Sequence, residues 1–167
     1  MATTFTRAAI GAGATVIDGV ATTGLRNLAN NTCRLGPEIV PTVAAPELIA
    51  GYKLQAKYAA NITANQQVAQ CWFIPDIGNS ATYPTIGAAS DGSATVFPAW
   101  APDFVFYWDA GTAHAGAPDV MQSVPKEVAR PPWKHKVLMR NVSGQLTANV
   151  NDTDTILKES TVNDLGT

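Results

Sequence analysis

The chain has 167 residues, of which 46% are hydrophobic and only 14% are charged, and its formal net charge is −2 at pH 7. This length suits one well-buried core and is short for two, and the slightly acidic balance argues against the basic surface that nucleic-acid binding requires. The low charge predicts a surface that is either covered in part by a partner or rich in uncharged polar residues.

The first 47 residues lack a persistent hydrophobic period. They are rich in Ala, Thr, Gly and Pro, and Asp18 with several glycines interrupts every apolar run, so we expect neither a signal peptide nor a membrane span here. We interpret residues 1–47 as an extended N-terminal arm and residues 48–167 as the folded domain.

Beyond residue 48 the sequence alternates with a period of two, which is typical of half-buried strands. The predicted strands are 52–58, 67–74, 103–109, 133–141 and 155–162. Segment 120–128 gives a further strand that Pro125 interrupts, which predicts a sheet edge or a bulge.

Two loops rich in Gly, Pro and small residues, 76–100 and 111–119, are predicted contact or outward-facing regions. Because no segment of ten or more residues carries a good helical stripe, the sequence predicts an all-β protein. We expect an antiparallel β-sandwich or jelly roll.

The strand at 67–74 is apolar on both faces in its second half. Alternation places Val68, Trp72 and Ile74 on one face, and Cys71 and Phe73 on the other. This predicts burial on both sides, by the second sheet on one side and by the arm or a sister subunit on the other.

The two cysteines, Cys33 and Cys71, are 38 positions apart and show no zinc-site spacing. We favour two free thiols over one long-range disulfide. Nucleophilic chemistry at Cys71 would need a base from His114 or His135 within hydrogen-bond reach. Because free cysteine is usually buried, we interpret Cys71 as a small core residue.

Carboxylates offer no convincing catalytic or metal site. Asp103 and Asp109 are about 20 Å apart on an extended strand, which is too far for a glycosidase pair. Residues 151–154 resemble the start of a calcium loop but lack its glycine and its closing glutamate, so a polar turn is favoured. Gly11 and Gly13 lack the third glycine and the flanking elements of a dinucleotide site. We therefore predict no catalytic, cofactor-binding or metal-binding residue and no cofactor.

Two sets of residues are candidates for an interface. Exposed aromatic residues in loops would anchor a protein partner or stack on sugars, and cations along one strand face would meet acidic groups. The first set is Tyr83, Phe97 and Trp100, and the second is Lys134, Lys136 and Arg140. Because no acid–amide cluster that reads sugar hydroxyls flanks the aromatic residues, we favour a protein interface.

Three segments carry a resemblance to a known family. They are AANITANQQVAQCWFIPD (59–76), DFVFYWD (103–109) and WKHKVLMRNVSGQ (133–145). The order and the sequences of these segments resemble those of small virion structural proteins of tailed phages, of the capsid decoration or cement type. The resemblance implies a β-sandwich or jelly roll that coats or cements a capsid, often as a trimer, with no enzymatic activity.

The sequence leads to the hypothesis of a phage head decoration protein, made in the bacterial host cytoplasm and located in the virion. Its expected partners are the major capsid protein and further copies of itself, as a homo-oligomer with a trimer favoured, and no nucleic acid or membrane is expected. The alternatives are a neck, tail or fibre component, or a carbohydrate-binding module that takes part in host attachment.

Overall fold

The structure, a computed structural model, describes most of the chain. The residues described are 5–7, 14–19, 24–40, 49–58, 62–63, 65–77, 98–108, 121–123, 126–129, 131, 133–147, 155–162 and 164–166. The strands among them are β1 (Phe5–Arg7), β2 (Ala14–Ile17), β3 (Cys33–Ile39), β4 (Ile49–Ala56), β5 (Gln67–Pro75), β6 (Phe104–Tyr107), β7 (Met121–Gln122), β8 (Lys126–Ala129), β9 (His135–Asn141), β10 (Ile156–Val162) and β11 (Asp164–Gly166).

Two antiparallel sheets form the body of the protein. One has four strands in the order β3-β9-β5-β6; the other has the order β2-β10-β4, with β7 and β8 both pairing along the remaining edge of β4. β1 and β11 make a separate short antiparallel pair. The predicted all-β antiparallel sandwich is confirmed, and the segment interrupted by Pro125 forms two short edge strands as expected. No helix in these described ranges is long and apolar enough to cross a membrane.

The main core lies between the two sheets and contains a cluster of aromatic rings. Tyr52 of the five-stranded sheet stacks on Phe104 of the four-stranded sheet, with ring centroids 4.6 Å apart, and Phe73 lies 5.4 Å from Phe104. Stacked and tilted rings at these distances contribute beyond the apolar area they bury. The aromatic cluster therefore holds the two sheets together near the start of β6.

The outer face of the four-stranded sheet carries a second buried cluster. Its members are Cys33, Leu35, Trp72, Ile74 and Leu138, all at most 6% exposed. Strand β5 is therefore buried on both faces, as the sequence predicts. Val68 departs from the prediction because a register shift between Gln67 and Ala69 turns it into the main core with Ala69.

The N-terminal segment is not an arm where the structure describes it. β2 pairs with β10 and β3 pairs with β9, so both strands belong to the sandwich sheets. Leu25 and Leu28, on the connection between them, are fully buried in the main core. The described parts of 1–47 correct the arm interpretation, whereas the predicted boundary at residues 47–48 lies outside the described residues.

Gly36 explains why the strand period was hidden in this region. The register of β3 against β9 shifts between Leu35 and Glu38, so the alternation breaks at the Gly36–Pro37 pair. A Cβ atom on Gly36 would lie 2.6 Å from the backbone oxygen of Val16. The sequence has glycine here because β2 passes too close for any side chain.

The side chain of Asn141 fixes two connections at the other end of the sandwich. Its amide nitrogen donates to the carbonyl oxygens of Leu28 at 2.9 Å and Gln145 at 2.7 Å. Its amide oxygen accepts from the backbone nitrogen and the hydroxyl of Ser143, at 3.1 and 2.7 Å. Asn141 is fully buried, so three of the four bonds lie away from solvent, and the bond to Gln145 is partly buried.

Thr147, at the end of the turn, also bonds to the segment that carries Leu25 and Leu28. Its hydroxyl accepts from the backbone nitrogen of Leu28 at 2.7 Å and donates to the carbonyl of Leu25. Together Asn141 and Thr147 attach the segment that carries Leu25 and Leu28 to the turn that follows β9.

We predict that Asn141→Asp lowers the free energy of unfolding by about 2–4 kcal/mol. The carboxylate keeps the shape of the amide but loses both N–H donors, which leaves the buried carbonyl of Leu28 and the half-buried carbonyl of Gln145 without these bonds. Urea unfolding measures the change.

Gln145→Ala is the matched control, because Gln145 joins this turn through its backbone groups. It should stay within about 0.5 kcal/mol of the original chain. Equal stability of the two variants would contradict the role given to the Asn141 amide.

Candidate binding site

Large exposed hydrophobic side chains concentrate at one end of the four-stranded sheet. In register, Ile39, His135 and Pro75 lie side by side at that end, where β3 and β5 finish and β9 begins. Six large hydrophobic residues are exposed in the described part of the chain, and four of them, Val40, Ile77, Trp100 and Trp133, lie in the connections at this end. We call these four residues the apolar end.

A cleft of about 500 Å³ opens at the apolar end, between the edges of the two sheets. Its described lining residues are Phe73, Pro75, Trp100, Asp103, Ala129, Pro131 and Trp133. Trp100 and Trp133 are 51% and 54% exposed, so about half of the surface of each residue is accessible. We call this feature the end cleft; apolar walls with few polar groups are the usual make-up of a binding site.

Three hydrogen bonds attach the segment that carries Trp100 to successive residues of β5. The backbone nitrogen of Asp103 donates to the carbonyl of Cys71 at 2.9 Å, and Oδ2 of Asp103 accepts from the backbone nitrogen of Phe73 at 2.7 Å. The indole nitrogen of Trp72 donates to the carbonyl of Trp100 at 3.1 Å. The backbone that presents Trp100 and Asp103 is therefore fixed to the sheet before any ligand binds.

Phe73 connects the end cleft to the core. Its ring contacts Tyr52 and Phe104 on the core side and lies 5.2 Å from the ring of His135 in an edge-on arrangement. Only 8% of Phe73 is exposed, and that exposed edge lies in the cleft. The floor of the cleft is thus held by the aromatic cluster of the core.

Trp133 was not predicted as a site residue. Alternation places it on the buried face of a strand with His135 and Val137, but β9 begins only at His135 and Trp133 precedes it. The carbonyl of Trp133 lies 2.8 Å from Nδ1 of His135. The signal that would have found it is the Pro131–Pro132 pair, because residues around prolines seldom join a central strand.

Of the predicted aromatic set, Trp100 lines the end cleft, whereas Tyr83 and Phe97 lie outside the described residues. Asp103 reaches the cleft too, although the sequence argument considered it only as half of a carboxylate pair. Asp103 lies just before β6 and not within a strand. The sequence does not locate this strand start, because it is set by the pairing of β6 with β5.

The three predicted cations do not form one surface. Lys134 lies next to Trp133 at the apolar end, with its Nζ 3.8 Å from Oε1 of Glu38. Lys136 shares the outer sheet face with Ile74 through its register. Arg140 lies further along that face, where its guanidinium donates to Gln70 at 3.2 Å and to Asn31 at 3.0 Å. Arg140 therefore has partners within the chain, and its assignment as an interface residue stays a prediction.

A second cavity in the described part has fewer features of a binding site than the end cleft. It measures about 550 Å³ and lies between β2 and β3, beside Gly36 and Lys136. None of the described residues that line it is aromatic. The end cleft is therefore the better candidate for a binding site.

The chemistry of Cys71 suits a core residue. Burial, with a smaller contribution from the charge of Asp103, raises the pKa of the Cys71 thiol well above its ordinary value. His135 pairs with Pro75, four residues along the same strand face and about 13 Å away by strand rise. Phe73 stands between them on that face, so Cys71 and His135 form no nucleophile–base pair. His114 lies outside the described residues.

The described residues contain no group of three or more His, Cys, Asp or Glu side chains that could hold a metal ion. Both cysteines are free and buried, which confirms two free thiols over a disulfide.

Comparisons with protein-family models, with curated proteins and with solved structures found no match. The resemblance to phage decoration proteins, with the location and the partners that it implies, therefore stays a prediction.

We predict that neither thiol of the folded protein reacts with a thiol reagent such as dithionitrobenzoate at pH 8. Burial raises the pKa of Cys33 to about 11, so only about one thiol in a thousand is the reactive thiolate at this pH. Unfolding in urea should expose both cysteines and restore the ordinary pKa.

The sign of the pH dependence follows from the same shift. The neutral Cys33 thiol makes its full contribution to the free energy of unfolding below pH about 9. This contribution is lost as the pH rises towards 11, because the thiol ionises at a lower pH in the unfolded chain than in the folded chain. Rapid labelling of one thiol in the folded chain at pH 8 would contradict this account.

Proposed function

We propose that the protein is a non-enzymatic virion structural protein of a phage, most specifically a capsid decoration protein that bridges neighbouring capsomers through its apolar end. The observation that carries the interaction part is the concentration of Val40, Ile77, Trp100 and Trp133 at one end of a rigid sandwich. Exposed apolar groups gathered at one place are typical of a surface that meets a partner. The phage part is supported by the resemblance of segments 59–76, 103–109 and 133–145.

The proposed mechanism is stabilisation by mass action. A protein that binds the assembled shell but not its separated subunits shifts the equilibrium towards the shell. A homotrimer would contact several capsomers at once, which raises avidity although each contact is weak. A rigid sandwich suits this role, because no ordering of its sheets is required on binding.

A carbohydrate-binding module is the second candidate. The end cleft favours it in one respect, because two half-exposed tryptophans and the carboxylate of Asp103 lie around one cavity. Indole faces stack on sugar rings and a carboxylate accepts from hydroxyls. A glycan array and a sugar titration followed by tryptophan fluorescence would detect this activity.

A neck, tail or fibre component is the remaining alternative, and the copy number in purified particles separates it from decoration. Hundreds of copies indicate the head surface, whereas a dozen or fewer indicate a neck or tail.

We predict that particles assembled without the protein tolerate heat and low ionic strength less well than complete particles. They should lose their contents at a lower temperature, and earlier when the salt is diluted. Adding the purified protein back should restore the heat tolerance. Particles that are equally robust with and without it would remove decoration as the function.

We further predict that Trp133→Ala weakens binding to particles that lack the protein by about 2 kcal/mol or more, since buried tryptophans dominate interface energies. Leu146→Ala is the control, because Leu146 is 41% exposed but lies beyond the opposite end of β9. Sedimentation with particles measures both. Equal loss in the two variants would exclude the apolar end as the docking surface.

A further inference from the structure

We propose that the end cleft binds the side chain of a lysine or arginine that a partner protein presents. This inference deepens the proposed function, on which it rests for the class of partner, and it names the chemistry that the cleft recognises. It is argued from the charge, the aromatic groups and the apolar walls of the cleft.

Asp103 is the only charged residue among the described lining residues. Its position is set by two bonds to β5, from its backbone nitrogen to the carbonyl of Cys71 and from the nitrogen of Phe73 to its Oδ2. The side chain remains exposed to solvent. Because this carboxylate is already ordered, it loses little conformational entropy when it pairs with an incoming cation. Its negative charge favours a cation over an anion.

Three aromatic residues line the same cleft as this carboxylate. Trp100 and Trp133 are half-exposed, and Phe73 supplies the floor. The faces of indole rings attract cations, and several aromatic groups with one acid form the usual composition of a site for ammonium or guanidinium groups. The lining of the end cleft has this composition.

The remaining described walls are Pro75, Ala129 and Pro131, which carry no polar side-chain atom. Lysine and arginine have a long aliphatic stem that packs on apolar surface while the charged group reaches a polar partner. A sugar ring presents several hydroxyls, and each needs a donor or acceptor when it is buried. With one carboxylate and two indole nitrogens in the lining, the cleft fits an aliphatic stem with a cationic end better than it fits a sugar.

The chain's own cation next to the cleft, Lys134, lies 3.8 Å from the carboxylate of Glu38 on the neighbouring strand. Arg130 follows Ala129 in the sequence and lies outside the described residues. It is therefore included as a variant in the test.

The test titrates the full-length protein with blocked tripeptides, followed by calorimetry and tryptophan fluorescence. The probes are acetyl-Ala-Arg-Ala-amide and its lysine counterpart; the matched controls replace the cation with norleucine or citrulline. We expect saturable binding of the two cationic peptides at millimolar concentration. The neutral peptides should bind about tenfold more weakly or not at all.

Two variants connect binding to the cleft. Asp103→Asn keeps an acceptor for the nitrogen of Phe73, so the fold should hold while the charge is lost, and affinity should fall about tenfold. Trp133→Ala should reduce affinity similarly, and Leu146→Ala should leave it unchanged. Unchanged thermal unfolding of each variant confirms that the fold is intact.

Three results would overturn the inference. The first is no binding of either cationic peptide at millimolar concentration, or equal binding of the neutral ones. The second is saturable binding of chitotriose or another oligosaccharide that Asp103→Asn abolishes, with no response to the peptides. The third is peptide binding that appears only in Arg130→Ala, which would identify the chain's own arginine as the occupant.

Failure of the inference and failure of the proposed function can be told apart. If particles require the protein for heat tolerance and Asp103→Asn supports it fully, only the cationic ligand is wrong. If the peptides bind as expected but particles are equally robust without the protein, only decoration is wrong.

Discussion

The fold depends on one buried amide. Asn141 donates to Leu28 and Gln145 and accepts twice from Ser143, so a single side chain fixes the last residues of β9, the turn that follows, and the segment that precedes β3. An amide is the only neutral side-chain group that supplies two donors and two acceptor positions together. Because Leu28 and Ser143 are buried and Gln145 is half-buried, replacing the amide leaves polar groups without hydrogen bonds and with little access to water. This network places Leu25 and Leu28 in the core and leads the chain into β3.

Strand β5 connects the end of the sandwich that contains Asn141 to the apolar end. Burial on both faces fixes its position in the sheet, with Phe73 in the main core and Trp72 in the outer cluster. The segment that carries Trp100 and Asp103 attaches to β5 by backbone and side-chain bonds at Cys71, Trp72 and Phe73. The end cleft is thus built on a strand that is buried on both faces, which is how a preorganised site is held in proteins. Cys71 contributes to the site only through its carbonyl and its small size.

Period-two alternation was enough to predict β4, β5, β6, β9 and β10, because each pairs over a regular stretch against a well-defined apolar face. It failed at β2 and β3, where small residues and the register shift at Gly36–Pro37 hide the period, and where only contact with β9 and β10 makes a strand. The binding site was predicted in part. Trp100 was identified from its type and loop position. Trp133 was missed because the alternation was followed back to the Pro131–Pro132 pair although β9 begins only at His135, and Asp103 was missed because the start of β6 is set by its pairing with β5. The hydrogen bonds of Arg140 could not be predicted, because its partners, Gln70 and Asn31, are distant in the chain.

The strand order also bears on how the chain acquires its structure during synthesis. β2 pairs with β10 and β3 with β9, so these two strands meet their described partners only after about 140 and about 100 further residues, respectively, have been made. Such long-range pairing slows folding and prolongs the time during which strand edges are unpaired. The glycine and proline in β3 make that segment a poor template for pairing with another copy in the interval. The same break in alternation that conceals β3 from sequence analysis would then keep the nascent chain from aggregating.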